Sequence, residues 1–237
     1  DSLKYSHTIS LNPVNQQRFE ELKGLYPGNF RFRSDQRYLM GFKPFLRPDP
    51  AHPEYNLQTS KVRYHLMDKS GRIISGLILE QENYRALTAT VQGEFRFTLF
   101  EFLGVELIAL SEGNDMYTAR SKEFLIRVYD SCGEYLRAFY HPFQKKEFTR
   151  EDAIRQQELE YEKGVVEWRT SVIRQAPEED IPETWPALND MLIDDESRLW
   201  VSTIVEDFEV YQWWVLKNTG ELMARFTWPR NRQIEVV

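Results

Sequence analysis

A single cysteine, Cys132, stands in the 237 residues, so no internal disulfide can staple the chain. Histidine is nearly as scarce: His7, His52, His65 and His141 share no spacing, and no Cys and His cluster has zinc-site separation. No apolar run approaches the ~18 residues of a membrane span. A Gly-x-Ser-x-Gly elbow is missing, and neither a serine nor Cys132 has a visible base, so no catalytic residue can be assigned. Positive charge is in deficit, with 30 Lys and Arg against 37 Asp and Glu for a net charge of −7. That balance lacks the excess positive field that sequence-independent phosphate binding requires, and it argues against a nucleic-acid partner. The chain opens at Asp1 with neither Met nor a signal peptide, which reads as a processed or truncated sequence. What is present is a composition 41% hydrophobic, 14% aromatic and 28% charged, that of a folded domain with a large core.

Three segments repeat a common cadence. Arg63–Ile78, Ile126–Phe139 and Trp213–Phe226 each pass from an aromatic and β-branched run through a polar turn closing on Gly71, Gly133 or Gly220, then into a second alternating run. This is the pattern of a β-hairpin, with glycine at the position that needs a positive φ. Each hairpin follows another pair of strand-like runs, around Ser34–Arg37, Ser111–Asn114 and Asp194–Ser197. Four antiparallel strands per unit, repeated three times, point to propeller blades. The expected fold is therefore all-β, a partial β-propeller. Its blades fall at about 28–80, 94–142 and 182–229, with a further blade starting at about 230–237.

Insertions account for the uneven spacing of the repeats. The stretch Pro44–Asn56, with prolines at 44, 48, 50 and 53, cannot be a central strand because proline donates no ladder hydrogen bond, and it reads as a loop. Glu94–Phe100 offers an added strand leading into the second blade. The largest insertion, about 143–181, separates the second blade from the third, and in it Thr149 followed by Asp152 resembles a capping pattern. A helix is expected from Arg150 to Lys163, ending at Gly164, and a short one from Val14 to Leu22, closed by Gly24.

The third unit carries Leu192-Ile193-Asp194-Asp195-Glu196-Ser197-Arg198-Leu199-Trp200-Val201, then Trp213-Trp214-Val215-Leu216-Lys217-Asn218-Thr219-Gly220-Glu221-Leu222. These motifs resemble the bacterial six-bladed β-propellers related to NHL-repeat proteins, over residues from about 25 to 237. Phe139-Tyr140-His141-Pro142 running into Phe148–Asp152 resembles the helical insertion of that family. Two positions depart from it: Ser197 stands where glycine is usual, implying a relaxed turn, and Lys217 where aspartate is usual. The resemblance implies a periplasmic or cell-surface protein. It also implies a ring of more blades than three, so the chain reads as a fragment, or as a protomer that completes a ring by dimerising.

Asn189 and Asp190 enter the innermost strand of the third blade, which by the resemblance lines the channel where lactonase-like propellers hold a divalent ion. Such a site needs ligands from several blades, and the corresponding strands offer only Asn29 and Glu106. The acids at Asp194–Glu196 read instead as a turn, where Asp and Ser bond local backbone. Trp213 and Trp214, with Tyr211 and Trp200, form the densest aromatic group and could serve a carbohydrate or peptide ligand. Because adjacent strand residues point to opposite faces, only one of the two tryptophans can enter a given interblade layer. The reading is a binding or scaffolding propeller for an unknown protein or small ligand, with no cofactor and no membrane span in this chain. Asn189, Asp190, Trp213 and Trp214 are the candidate contacts. The alternative is a lactonase-like hydrolase with a divalent cation in the channel.

Overall fold

The computed structural model describes residues 13–44, 61–83, 86–99, 101–160, 163–205, 209–232 and 234. The first blade comprises β1 (Leu25–Phe32), β2 (Tyr38–Pro44), β3 (Lys61–Met67) and β4 (Leu79–Glu82). A separate hairpin of β5 (Ala86–Val91) and β6 (Glu94–Leu99) follows, and among the described residues these two strands pair only with each other. The second blade is built from β7 (Glu106–Leu110), β8 (Met116–Arg120), β9 (Leu125–Tyr129) and β10 (Tyr135–Tyr140). Helices α1 (Arg150–Glu160) and α2 (Lys163–Gln175) come next. The third blade comprises β11 (Asp190–Ile193), β12 (Leu199–Ile204), β13 (Val210–Leu216) and β14 (Leu222–Pro229). Each blade is a four-stranded antiparallel meander in which every ladder joins neighbours in sequence, so the chain is a partial β-propeller of three blades.

One turn geometry recurs through the blades. In the first hairpin of each, Gln36, Asn114 and Ser197 donate their backbone N–H to the carbonyl three residues earlier, at φ values of 62°, 66° and 60°. In the second hairpin Gly71, Gly133 and Gly220 do the same, at 79°, 94° and 90°. Ser197 thus holds the left-handed conformation without being glycine. Glycine is required where the turn also meets the preceding blade: a Cβ on Gly133 would lie 2.1 Å from the Ile78 carbonyl oxygen, and one on Gly220 would lie 2.6 Å from the Phe139 ring.

Alternation along the strands sends apolar side chains to both faces of the blades. Leu39, Val62, Tyr64 and Leu66 meet Ile108 and Met116 between the first and second blades. Tyr117, Phe124, Ile126 and Val128 meet Leu199, Val201 and Trp214 between the second and third. The outer face of the first blade, with Met40, Phe42, Met67 and Ile73, is covered by Phe19 and Leu22. A fourth cluster joins the β5–β6 hairpin to the helices and reaches Ile204 and Tyr211 on the third blade. This satellite layer is fed by two connections that each run from the outermost strand of one blade to the innermost strand of the next. It therefore sits at the end of the ring where the inner strands begin.

Several elements differ from the sequence reading. The insertion forms a pair of helices where one was expected, and Gly164 lies inside α2. The β-branched residues of α2 disfavour a helix in isolation, but Val172 and Ile173 are fully buried against the satellite layer, and packing overrides propensity. Thr149 and Asp152 do cap α1: the Asp152 carboxylate accepts from the Thr149 N–H and hydroxyl, both at 2.9 Å. Val14–Leu22 is not an α-helix but two 3-10 turns, Gln16–Arg18 and Glu20–Leu22, broken at Phe19, whose backbone is extended. The last strand of the first blade is Leu79–Glu82 rather than the run after Gly71, because Asn15 ties both backbone groups of Ile73 to the N-terminal segment. Glu94–Leu99 belongs to the separate hairpin and adds nothing to the second blade. Beyond Pro44 the expected loop to Asn56 lies outside the described residues, as do Gln233 and Glu235–Val237. Arg230–Arg232 turn back, the Arg232 N–H donating to the Pro229 carbonyl.

Candidate functional site

The innermost strands β1, β7 and β11 converge on a cleft of about 620 Å³. Its walls include Arg31 of β1, Glu106–Leu110 of β7 and Asn189–Ile193 of β11. Phe102 and Tyr211, which belong to or pack on the satellite layer, close one side, and Trp213, Arg230, Arg232 and Ile234 complete the other.

Glu106 and Asp190 each open the inner strand of their blade, and both line the cleft. Burial dominates at Glu106 and lifts it to about 7; Arg120 and Arg127 pull it down, and Glu82 adds to the rise. The nearest guanidinium, Arg120, stands 3.9 Å from Glu106 and is engaged by Glu82 as well. Asp190 is also raised, by desolvation, against a backbone hydrogen bond from Met191 and the charge of Arg31. Asn189 donates its backbone N–H to the Ser202 carbonyl at 2.8 Å, which fixes the start of β11. Glu106, lifted to about 7, can donate as well as accept a hydrogen bond near neutral pH, and Asp190 is shifted in the same direction.

Of the four residues singled out in the sequence, Asn189, Asp190 and Trp213 line this cleft and Trp214 does not. Trp214 faces the second blade, with Phe124 and His141 edge-on at ring separations of 5.0 and 5.6 Å and the Arg225 guanidinium 4.1 Å from its ring centre. Its N–H donates to Gln212 Oε1, and it packs in the core between the second and third blades. Trp213 points the other way, as strand alternation requires. It is 4% exposed, and its indole nitrogen has no hydrogen-bond partner among the described residues. Asn29 of β1 does not line the cleft, whereas Arg31, two positions on, does. Tyr211, named with the aromatic group in the sequence, also lines the cleft, whereas Arg31, Arg230 and Arg232 were missed; aligning the inner strands at alternate positions would have found Arg31 alone.

Two solved structures share features of this fold. One is a calcium-binding protein, regucalcin, from Agrobacterium tumefaciens, 8% identical over 86% of this chain and 46% of that one, with a TM-score of 0.37. The other is a luciferin-regenerating enzyme, 12% identical over 86% of this chain and 47% of that one, with a TM-score of 0.33. The chain spans about half the length of each. No protein-family model and no curated protein sequence matches it. Likeness at this level carries no argument, and the blade assignment rests on the meanders themselves.

A divalent cation of the hard class takes roughly six or more oxygens. Asn189, Asp190 and Glu106 supply oxygens from two blades, but the first blade contributes the Arg31 guanidinium where a further oxygen would be needed. Among the described residues no three His, Cys, Asp or Glu side chains come together. The described residues thus supply fewer oxygens than such an ion takes.

Proposed function

We propose that this chain is a ligand-binding β-propeller whose site is the cleft between the inner strands, taking a small polar molecule. The observation that carries this reading is a cleft of ligand size between the inner strands, lined at the heads of two of them by the carboxyls of Glu106 and Asp190. In this reading the three blades belong to a six-bladed, NHL-like ring, supported by the Leu199-Trp200-Val201 strand and the glycine-closed hairpins. A thermal-shift screen of polar small molecules tests the site. A ligand that stabilises the protein and loses its effect in Asp190→Asn or Glu106→Gln supports it. Ligands whose shifts are unchanged in both variants place binding elsewhere.

The lactonase-like alternative draws support from Asn189 and Asp190 at the entrance of the inner strand. Calorimetric titration with calcium, zinc and magnesium separates the two. Saturable uptake of any of these ions that Asp190→Asn abolishes would favour the hydrolase over the metal-free site.

A further inference from the structure

The charges along the cleft are unequal. Three guanidinium groups, Arg31, Arg230 and Arg232, line it against two carboxyls, on a chain whose net charge is −7. Desolvation lifts Glu106 to about 7, so it opposes an anion less than a fully ionised carboxylate would, and Asp190 is shifted the same way.

The three arginines differ in how far they are committed. Arg230 lies over Tyr211, its guanidinium carbon 4.5 Å from the ring centre, and its Nε donates to the Val210 carbonyl at 3.1 Å. It is a fixed part of the wall. The Arg31 guanidinium donates to its neighbour's carbonyl, that of Phe30, and Arg232 is anchored through its backbone, whose carbonyl accepts from the Trp228 indole at 3.0 Å. Both side chains are exposed, and among the described residues neither has a carboxylate in salt-bridge range. A guanidinium fork matches a carboxylate or phosphate with two parallel hydrogen bonds. Trp213 adds a second kind of observation: a buried N–H donor on the same wall with no partner among the described residues, a state that native structures rarely leave unexplained.

We propose that the cleft takes a small organic anion, a carboxylate or a phosphate ester, gripped by the forks of Arg31 and Arg232 with the Trp213 N–H as a further donor. This rests on the cleft being the ligand site and names the class of ligand.

Inorganic phosphate and succinate are the probes, with glucose and ethanolamine as neutral and cationic controls, each titrated calorimetrically at fixed ionic strength. Saturable binding of at least one anion is expected, weakening as sodium chloride is raised. Arg31→Gln and Arg232→Gln each lower its affinity by about tenfold or more. Both positions are exposed, and unchanged melting of the variants confirms their fold. Binding of phosphate alone assigns the phosphate ester, and binding of succinate alone assigns the carboxylate. The proposal is overturned if neither anion exceeds chloride, or if anion binding is the same in both variants. Glucose or ethanolamine binding that Asp190→Asn removes, with no anion binding, would overturn the anion and keep the cleft as the site. Silence from all four probes would count against both readings.

Discussion

Asp194 shows how one side chain can hold a turn. The residue is 5% exposed, and its carboxylate accepts from the backbone N–H groups of Glu196 and Arg198, from Arg198 Nε at 2.6 Å and from the Trp200 indole at 2.7 Å. Burial alone would raise its pKa. The hydrogen bonds from Trp200 and Arg198 outweigh that and hold the carboxyl below its usual value. Asp194→Ala strands four donors, two of them side chains. The expected loss is about 3 kcal/mol, read as a drop in the urea midpoint with an unchanged slope. Asp68 and Asp130 each accept from two backbone N–H groups in the second hairpins of their blades, but both are only half-buried, and alanine there should cost less. At this scale the sequence was readable: Asp in a turn announces itself by residue type, and the acids at Asp194–Glu196 are a turn rather than a metal site. The cation over Trp214 was not readable, because Arg225 reaches it from the paired position on the next strand.

The hairpin is the unit that repeats, and its glycines have two separate jobs. Gly24 has a φ of +73° and open space, with no atom within 4 Å of where a Cβ would stand, whereas Gly220 combines a φ of +90° with an approach to Phe139. Gly24→Ala should therefore cost only the left-handed backbone, about 1 kcal/mol, and Gly220→Ala about 2–3 kcal/mol. Chemical denaturation of the two variants side by side checks the order, and equal losses would remove the role given to the interblade contact. Four-strand blades were legible because antiparallel neighbours leave local signs: alternation, turn residues and glycine at the close. The second helix was not, since its stability comes from burial against β5 and β6, strands distant in sequence. The N-terminal segment escaped for a similar reason, its path being set by Asn15 and Phe19 gripping the first blade.

Across the whole molecule, two buried groups pull stability in opposite directions with pH. His65 is fully buried between the rings of Phe19 and Phe42, at 5.7 and 5.8 Å, and desolvation lowers its pKa from 6.5 despite the Ser75 carbonyl and Glu21, with Arg63 adding to the fall. The folded state thus binds this proton less readily than the unfolded chain, and stability is lost as pH falls below 6.5. Glu106 behaves inversely: raised from 4.5 to about 7, it keeps its proton in the folded state, and stability is lost as pH rises through that interval. In melting curves from pH 5 to 8 the two trends oppose each other below pH 7: His65→Phe should remove the loss on acidification below 6.5, and Glu106→Gln the loss as pH rises from 5 to 7. An unchanged profile in either variant would remove that group from the balance. The cleft itself was half visible in the sequence. Asn189 and Asp190 stand at the head of an inner strand, a position that the repeat marks, but the arginines come from the far blade and from the turn after β14.

The satellite layer also fixes an order of assembly. Each blade closes on contacts between sequence neighbours, so the first can zip up while the third is still being synthesised. The layer, by contrast, needs residues around 86–103, 148–181 and 204–211 at once. Phe102 and Tyr211 wall the cleft from that layer, so the cleft is completed last, after the scaffold that carries it is already in place.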